Sequence, residues 1–322
     1  MSRLALAVDL GGTKVEAALV DDAGRLLPAS RHRARTGPTA SRAELAAAVD
    51  RVVVGAVRGL RPGVELCGAG IGSAGPVDFV AGTVSPKNLP ALAGFALRAA
   101  VEAHLPGRSV VLRLDGTCIA LAEHWLGATA GAASSMSMVV STGVGGGVIV
   151  DGRLVTGRSG NAGHIGQVHV AGSGGSADDP DSTTLEAVAS GTSAVRWARS
   201  RGWAGASGED LAASCAAGDP VAWAAVQRSA TAVGQAIAST TTLLDLDVVA
   251  VGGGFARVVP DYVELVGRSA RRATVFAYAE RVRVVPVALG SAAPLLGAAA
   301  LVHRPGAVDP SAVDTGLLVR TP

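Results

Sequence analysis

Two glycine-rich turns and a strand-end aspartate carry most of the chemistry this chain could perform. Near the start, Asp9 is followed by Gly11-Gly12-Thr13-Lys14, set between the apolar runs Leu4–Val8 and Val15–Val20. Glycines in such a turn accept positive φ and let a ligand lie against bare backbone N–H groups. A concavity of amides suits phosphate oxygens, and a carboxylate at the strand end is placed to hold a cation beside them. The same stretch also fits an ordinary hairpin with a Gly-Gly turn. The theme returns at Ser141-Thr142-Gly143-Val144-Gly145-Gly146-Gly147, and a third cluster, Gly252-Gly253-Gly254, closes the apolar run Val248–Val251. Asp115 ends another short apolar run, Val110–Leu114. A carboxylate there can orient a hydroxyl and accept its proton from within about 3 Å, or it can simply cap a following helix. Gly143-Val144-Gly145 opens like a dinucleotide fingerprint, but that motif needs a helix directly after it. Here an apolar run and the hairpin signal Asp151-Gly152 follow. The lysine-bearing P-loop pattern is absent.

The elements that must position these residues follow from periodicity. Strands are predicted over 4–8 and 15–20, near 26–34, and over 64–72 and 110–114. Helices are predicted over 41–59, with Ser41 as a possible cap, and over 97–104 and 118–126. The pattern then restarts: a strand over 136–141, a glycine turn over 142–147, a strand over 148–150 and a continuation at 154–155. Helices are expected over 184–190, 193–200, 210–217 and 220–244, then strands over 248–251 and 282–287 and a helix over 292–302. A strand, a glycine turn and a second strand thus open each half, a duplication of organisation rather than of identity. The tail from Arg304 reads as loosely structured.

The 322 residues are 49% hydrophobic and 17% charged, which excludes disorder as the main state and leaves room for two lobes with ample core. Lys+Arg 28 against Asp+Glu 26 gives net +2 without a dense basic stripe, so no nucleic-acid partner is expected. Cys67, Cys118 and Cys215 are far apart and form no metal or disulfide pattern. The amino terminus runs straight into a strand with no signal peptide, and no apolar run reaches membrane-spanning length, so a cytoplasmic protein without a membrane partner is expected.

Taken together, several pieces resemble the ROK family of the sugar kinase/Hsp70/actin superfamily over about residues 4–303. They are Asp9–Lys14, Gly72-Ser73-Ala74-Gly75-Pro76-Val77-Asp78, Asn88-Leu89-Pro90, Asp115 with Ala120-Leu121-Ala122-Glu123, and Ser141–Gly147. Asn161-Ala162-Gly163-His164-Ile165-Gly166-Gln167, Leu185–Gly191 and Val251–Gly254 complete the set. The resemblance implies an α/β fold of two ribonuclease-H-like lobes, an actin-like ATPase architecture with an ATP/sugar cleft between them. The boundaries expected are 1–115 plus about 303–322 for a small lobe and 116–302 for a large one. It implies transfer of the γ-phosphate of ATP to a hydroxyl, usually the primary one, of a hexose or hexose-like substrate such as glucose, an amino sugar or a cyclitol. By position, Gly11, Gly12, Thr13 and Lys14 belong to the first phosphate loop, and Thr142 and Gly143 to the second. Gly252, Gly253 and Gly254 would lie under the adenosine, Asp9 near Mg²⁺, and Asp115 would be the catalytic base. A homodimer is the family expectation.

The chain departs from the family pattern where a sugar and a zinc ion would bind. The family's Asn-Asp is here Leu114-Asp115, which removes an amide that hydrogen-bonds sugar hydroxyls. Its Glu-x-Gly-His is His164-Ile165-Gly166-Gln167; both side chains still hydrogen-bond, without the charged acceptor. Counting back from Glu186 puts Ala177, Asp179 and Thr184 where three zinc cysteines belong, and Gln167 where the fourth ligand belongs. A tetrahedral structural zinc needs four ligands, so no zinc is expected, and the loop 172–181 is expected to be mobile. Asn88, Leu114, His164, Gln167 and Glu186, with Asp115, are the candidate acceptor contacts, although Glu186 also reads as a first-turn helix residue placed for the dipole. His164 and His169 with Asp179 fit no standard metal spacing. The alternative function is a catalytically impaired ROK-type sugar-binding sensor. The family's repressor branch carries a DNA-binding domain ahead of the first loop; with eight residues before Asp9, membership of that branch is not expected.

Overall fold

In a computed structural model that describes residues 3–58, 60, 64–171 and 180–308, β1 (Arg3–Leu10) and β2 (Lys14–Asp21) form an antiparallel hairpin across the first glycine turn. The short β3 (His32–Arg35) adds antiparallel to β2, while β4 (Glu65–Ser73) runs parallel to β1. Beyond the small hairpin of β5 (Val77–Asp78) and β6 (Thr83–Val84), β7 (Val110–Leu114) lies parallel to β4. The first sheet therefore has the order β3-β2-β1-β4-β7. From Leu4 to Leu10 every residue of β1 is buried. A strand covered on both sides reads as a continuous apolar run, which is why Leu4–Val8 shows no alternation. Helix α1 (Arg42–Arg58) turns Leu45, Val49, Val52 and Val53 inward against β2 and β3. After α2 (Leu97–Glu102), α3 (Asp115–Leu126) follows β7 directly.

The second sheet repeats the plan. β8 (Ser135–Val140) and β9 (Val144–Val150) are an antiparallel hairpin, and the chain continues through β10 (Arg153–Leu154). β11 (Val248–Gly252) runs parallel to β8, and β12 (Arg283–Pro286) parallel to β11, so that these four of the sheet's five strands follow the order β9-β8-β11-β12. The helices here are α4 (Leu185–Ala189), α5 (Gly191–Ser200), α6 (Gly208–Ala216), α7 (Pro220–Leu244), α8 (Tyr262–Ala273) and α9 (Ala277–Glu280). Asp219 caps α7 by accepting from Val221 and Ala222 N–H, with Pro220 at the first helical position. The last helix, α10 (Ala293–His303), packs on α3, β1 and β4 of the first sheet.

The chain divides into two compact units: Met1–Leu126 with Arg153–Gly163 and Ser291–Pro322, and Gly127–Gly152 with His164–Gly290. Both α3 and α10 belong to the first unit, beyond the boundaries at 115 and about 303 that the sequence suggested.

Several local expectations need correction. The second glycine turn is narrower than 142–147, because β9 already begins at Val144 and Gly145–Gly147 pair with Val139–Ser137. Gly146 is needed there for close approach: a Cβ would come within 2.8 Å of the Ser137 carbonyl oxygen and 3.0 Å of Ile165. The third strand is confined to His32–Arg35, since Pro28–Ser30 forms a 3-10 turn. Helix α3 starts at Asp115 rather than at Cys118. Helix α8 was not foreseen, although Tyr262, Val266 and Ala270 recur every four residues along its buried face. The expected mobility of 172–181 and the tail concern residues that mostly lie outside those described; Pro180–Thr183 forms a 3-10 turn.

Candidate active site

In the first unit the site grows from the carboxyl ends of parallel strands, the usual place for ligands in open α/β sheets. Asp9 lies near the end of β1, paired in register with Gly72 of β4, and Gly72 in turn with Arg113 of β7. Asp115 is the next residue but one after Arg113 and opens α3. A Cβ on Gly72 would lie 3.6 Å from Asp115 Cα and 3.1 Å from Cys118 Sγ, so β4 passes tightly beside the start of α3. Asp9 is only 6% exposed. Burial, then the Asp115 charge, push its carboxyl up to about 7, against the opposing pull of Lys14 and Arg31. The Asp115 Oδ1 accepts from Gly116 N–H at 2.7 Å, which differs from a cap on a helix beginning at 118.

The first glycine turn is held from behind. Gly11 N–H donates to the Lys14 carbonyl at 2.9 Å, while Thr36 donates from Oγ1 to the Gly11 carbonyl and from N–H to the Thr13 carbonyl. Any Cβ on Gly12 would collide with the Asn88 side chain, so this sugar candidate stands against the turn. Beside it, the buried Glu16 carboxylate gathers Lys14 Nζ, Arg31 at 3.0 Å and Arg33 at 2.9 Å. Burial opposes ionisation of Glu16, but the hydrogen bonds from Lys14 and Arg33 and the charges of Lys14 and Arg31 hold it below the usual carboxylate value. Lys14 is thus tethered at the edge of the turn. Leu114 lies in the hydrophobic core of this unit at 2% exposure. Its effect on the site is the missing amide rather than an exposed apolar surface.

In the second unit, Thr142 and Gly143 form the turn between β8 and β9. Gly191 N–H donates to the Ser141 carbonyl at 2.7 Å, Thr192 Oγ1 to the Thr142 carbonyl at 3.1 Å, and Val144 N–H to Glu186 Oε2 at 2.8 Å. Gly252 ends β11, and Gly253 takes φ +103° packed against the Val140 backbone, where a side chain would not fit. Thr142 and Gly254 open onto a cavity of about 470 Å³ walled by Val195, Ala212, Phe255 and Val258, with Glu209 and Arg257 among its polar groups. Its lining mixes apolar walls with hydroxyl and charged groups in similar measure. Sequence reasoning named the glycines but missed Gly191, Thr192, Glu209, Phe255 and Arg257. Leu185–Gly191 carried the resemblance, yet nothing in its residue types marks Gly191 as a clamp.

The remaining candidates spread over the second unit. His164 is half-buried and precedes the 3-10 turn Ile165–Gln167, in which Gln167 is exposed. Glu186 sits in the first turn of α4, whose cap is Thr184. His169 Nδ1 lies 2.6 Å from Thr183 Oγ1. Among the described residues no group of three His, Cys, Asp or Glu is arranged to hold a metal ion; Ala177 and Asp179 lie outside them.

Comparison with known proteins decides the family. The sequence matches the ROK family over residues 5–305. The chain belongs to the ROK family. A glucokinase of Streptomyces coelicolor is 29% identical to this ROK protein over 94% of the chain and 98% of the relative. An N-acetylmannosamine kinase of Yersinia pseudotuberculosis is 34% identical over 81% of the chain and 86% of the relative. The crystal structure of a ROK glucokinase from Streptomyces griseus in complex with glucose and AMPPNP superposes with a TM-score of 0.77 at 30% identity, covering 94% of this chain and 99% of that one. The two sheets are those of the actin-like ATPase fold that the resemblance implied. Among the described residues no helix is long and apolar enough to cross a membrane.

Proposed function

We propose that this ROK protein is an ATP-dependent carbohydrate kinase that transfers the γ-phosphate of ATP to a hydroxyl of a hexose or hexose-like substrate. The observation that carries this reading is the buried Asp9 carboxylate beside a glycine turn at the strand ends, with β4, its neighbour strand, passing close to the Asp115 backbone. Two carboxylates of this kind suit two tasks. Asp9, with Lys14 and the amides of Gly11, Gly12 and Thr13, would face the phosphates. Asp115 would orient the acceptor hydroxyl and take its proton. Phosphoryl transfer proceeds through a loose in-line transition state, so positioning and charge neutralisation supply most of the catalysis. The oxygen donors here fit Mg²⁺, with Asp9 as its holder; when bound, the ion neutralises charge on the transferring phosphate. The 470 Å³ slot beside Thr142 and Gly254 would take the nucleoside.

On the acceptor side, Asn88, His164, Gln167 and Glu186 are the proposed hydroxyl contacts. The lost amide at Leu114, and His164 where the family has a glutamate, favour an acceptor other than the one read by the usual family pair, such as an amino sugar or a cyclitol. No zinc is part of this reading. A panel of hexoses, amino sugars and cyclitols, assayed for acceptor-dependent ADP release, tests it. Stimulation by at least one acceptor is expected. If none stimulates turnover while one raises the melting temperature, the protein is a sugar-binding sensor instead.

A further inference from the structure

We infer that Glu186 is a positioning residue for the second phosphate turn, holding the Thr142–Gly143 backbone in its binding shape before any sugar arrives. The inference rests on the assignment of that turn to ATP. Glu186 occupies the first turn of α4, where a carboxylate commonly serves its own helix. Here the helix is capped by Thr184, whose Oγ1 accepts from Ala187 N–H at 3.2 Å. The Glu186 side chain is therefore released to another partner, and its Oε2 accepts from Val144 N–H at 2.8 Å, 42 residues away in sequence.

The backbone that carries the Glu186 side chain is anchored as well. Ser190 N–H and Ser193 Oγ both donate to the Glu186 carbonyl at 3.2 Å. Glu186 in the first turn of α4, with Gly191 and Thr192 at the start of α5, thus grip the turn at three points: Val144 N–H, the Ser141 carbonyl and the Thr142 carbonyl. The two bound carbonyls are thereby taken up by donors at the start of α5. None of these contacts uses the Thr142 or Gly143 N–H. Backbone donors fixed in advance cost no reorganisation when the anion binds.

Gly143 is the counterpart of this arrangement. A Cβ at Gly143 would lie 2.5 Å from Glu186 Oε2, so a side chain there has to push the carboxylate away from Val144 N–H. The two positions must therefore be energetically coupled.

The test is ADP binding measured by calorimetry with no sugar present, together with steady-state kinetics. Glu186→Ala is expected to weaken ADP binding about 10-fold or more, whereas Glu186→Gln, which keeps an acceptor oxygen for Val144 N–H, stays within about 3-fold of wild type. Gly143→Ala is expected to weaken ADP binding about 10-fold in the wild type but to add less than about 3-fold in the Glu186→Ala background, where its clash is gone. If Glu186→Ala does not fold, Glu186→Gln and Gly143→Ala still decide: loss of ADP binding in the first, or wild-type binding in the second, overturns the inference. Equal penalties for Gly143→Ala in both backgrounds also overturn it. If Glu186 serves only as a sugar contact, Glu186→Ala raises the sugar KM alone and leaves sugar-free ADP binding unchanged. Failure of ADP to bind the wild type would instead sink the nucleotide assignment itself.

Discussion

Asp9→Asn should make the metal-free protein more stable at alkaline pH, and by an amount that depends on pH in a defined way. Burial and the Asp115 charge raise the Asp9 carboxyl from its ordinary 3.8 to about 7, with Glu16 adding to the rise and Lys14 and Arg31 opposing it. An acid with a raised folded-state pKa binds its proton more tightly when folded. Its favourable contribution is complete below about pH 4, declines as pH rises, and is exhausted above about 7. At about 1.4 kcal/mol per pH unit across that window, ionising Asp9 in the folded state costs ~4 kcal/mol. Asparagine has the same shape and carries no charge, so it escapes this cost. Urea unfolding in EDTA should therefore show a variant advantage of about 2 kcal/mol at pH 5.5, growing to about 4 kcal/mol at pH 7 and constant to pH 8.5. Added Mg²⁺ should narrow the gap by stabilising the wild type alone. An advantage that is absent at pH 8.5, or that does not change between pH 5.5 and 7, would refute the account of Asp9 as a buried, anion-strained carboxylate.

Three further perturbations separate parts of the structure. Gly297→Ala in α10 would drive its methyl into the Cys118 carbonyl of α3; a loss above about 3 kcal/mol, or no soluble protein, is expected. Gly267→Ala in α8 has its nearest neighbour at 3.4 Å and should be neutral or stabilising by up to about 1 kcal/mol; thermal melts compare the two. Glu16→Gln removes the shared partner of Lys14, Arg31 and Arg33 and should cost about 1–3 kcal/mol at pH 7, discounted because those cations are partly solvated. Because Glu16 is held below its ordinary value of 4.5, its contribution is present above that pH and lost on acidification, so the Glu16→Gln deficit in urea should vanish toward pH 3. Metal analysis of dialysed protein should find less than about 0.1 zinc per chain, with no change in Tm on EDTA addition; one tight zinc per chain would contradict the reading of Gln167 and Thr184.

The strand–turn–strand pairs at Asp9–Lys14 and Ser141–Val144 were legible because apolar runs punctuated by glycine leave few alternatives for the backbone. Asp115 was legible as a strand-end acid, but its role came only with the family resemblance. What the sequence hid were contacts made over long separations. Nothing local marks Glu186 as a partner of Val144, Asn88 as a neighbour of Gly12, or Phe255 as a wall beside Thr142. Leu114 shows the converse limit: its position next to Asp115 suggested a site residue, whereas the pleat turns it into the core. The extent of the second glycine turn was also overread, since Gly145–Gly147 serve close strand packing rather than a loop.

The central claim is that Asp115 takes the proton of a sugar hydroxyl while ATP is held by the two glycine turns. The most direct measurement is acceptor-dependent ADP release by wild type and Asp115→Asn, with ADP binding measured on both. The account expects turnover to fall by about 10²–10⁴-fold in Asp115→Asn while ADP affinity changes less than about 3-fold. Wild-type turnover in Asp115→Asn, or no acceptor-dependent ADP release by the wild type across the sugar panel, would contradict it.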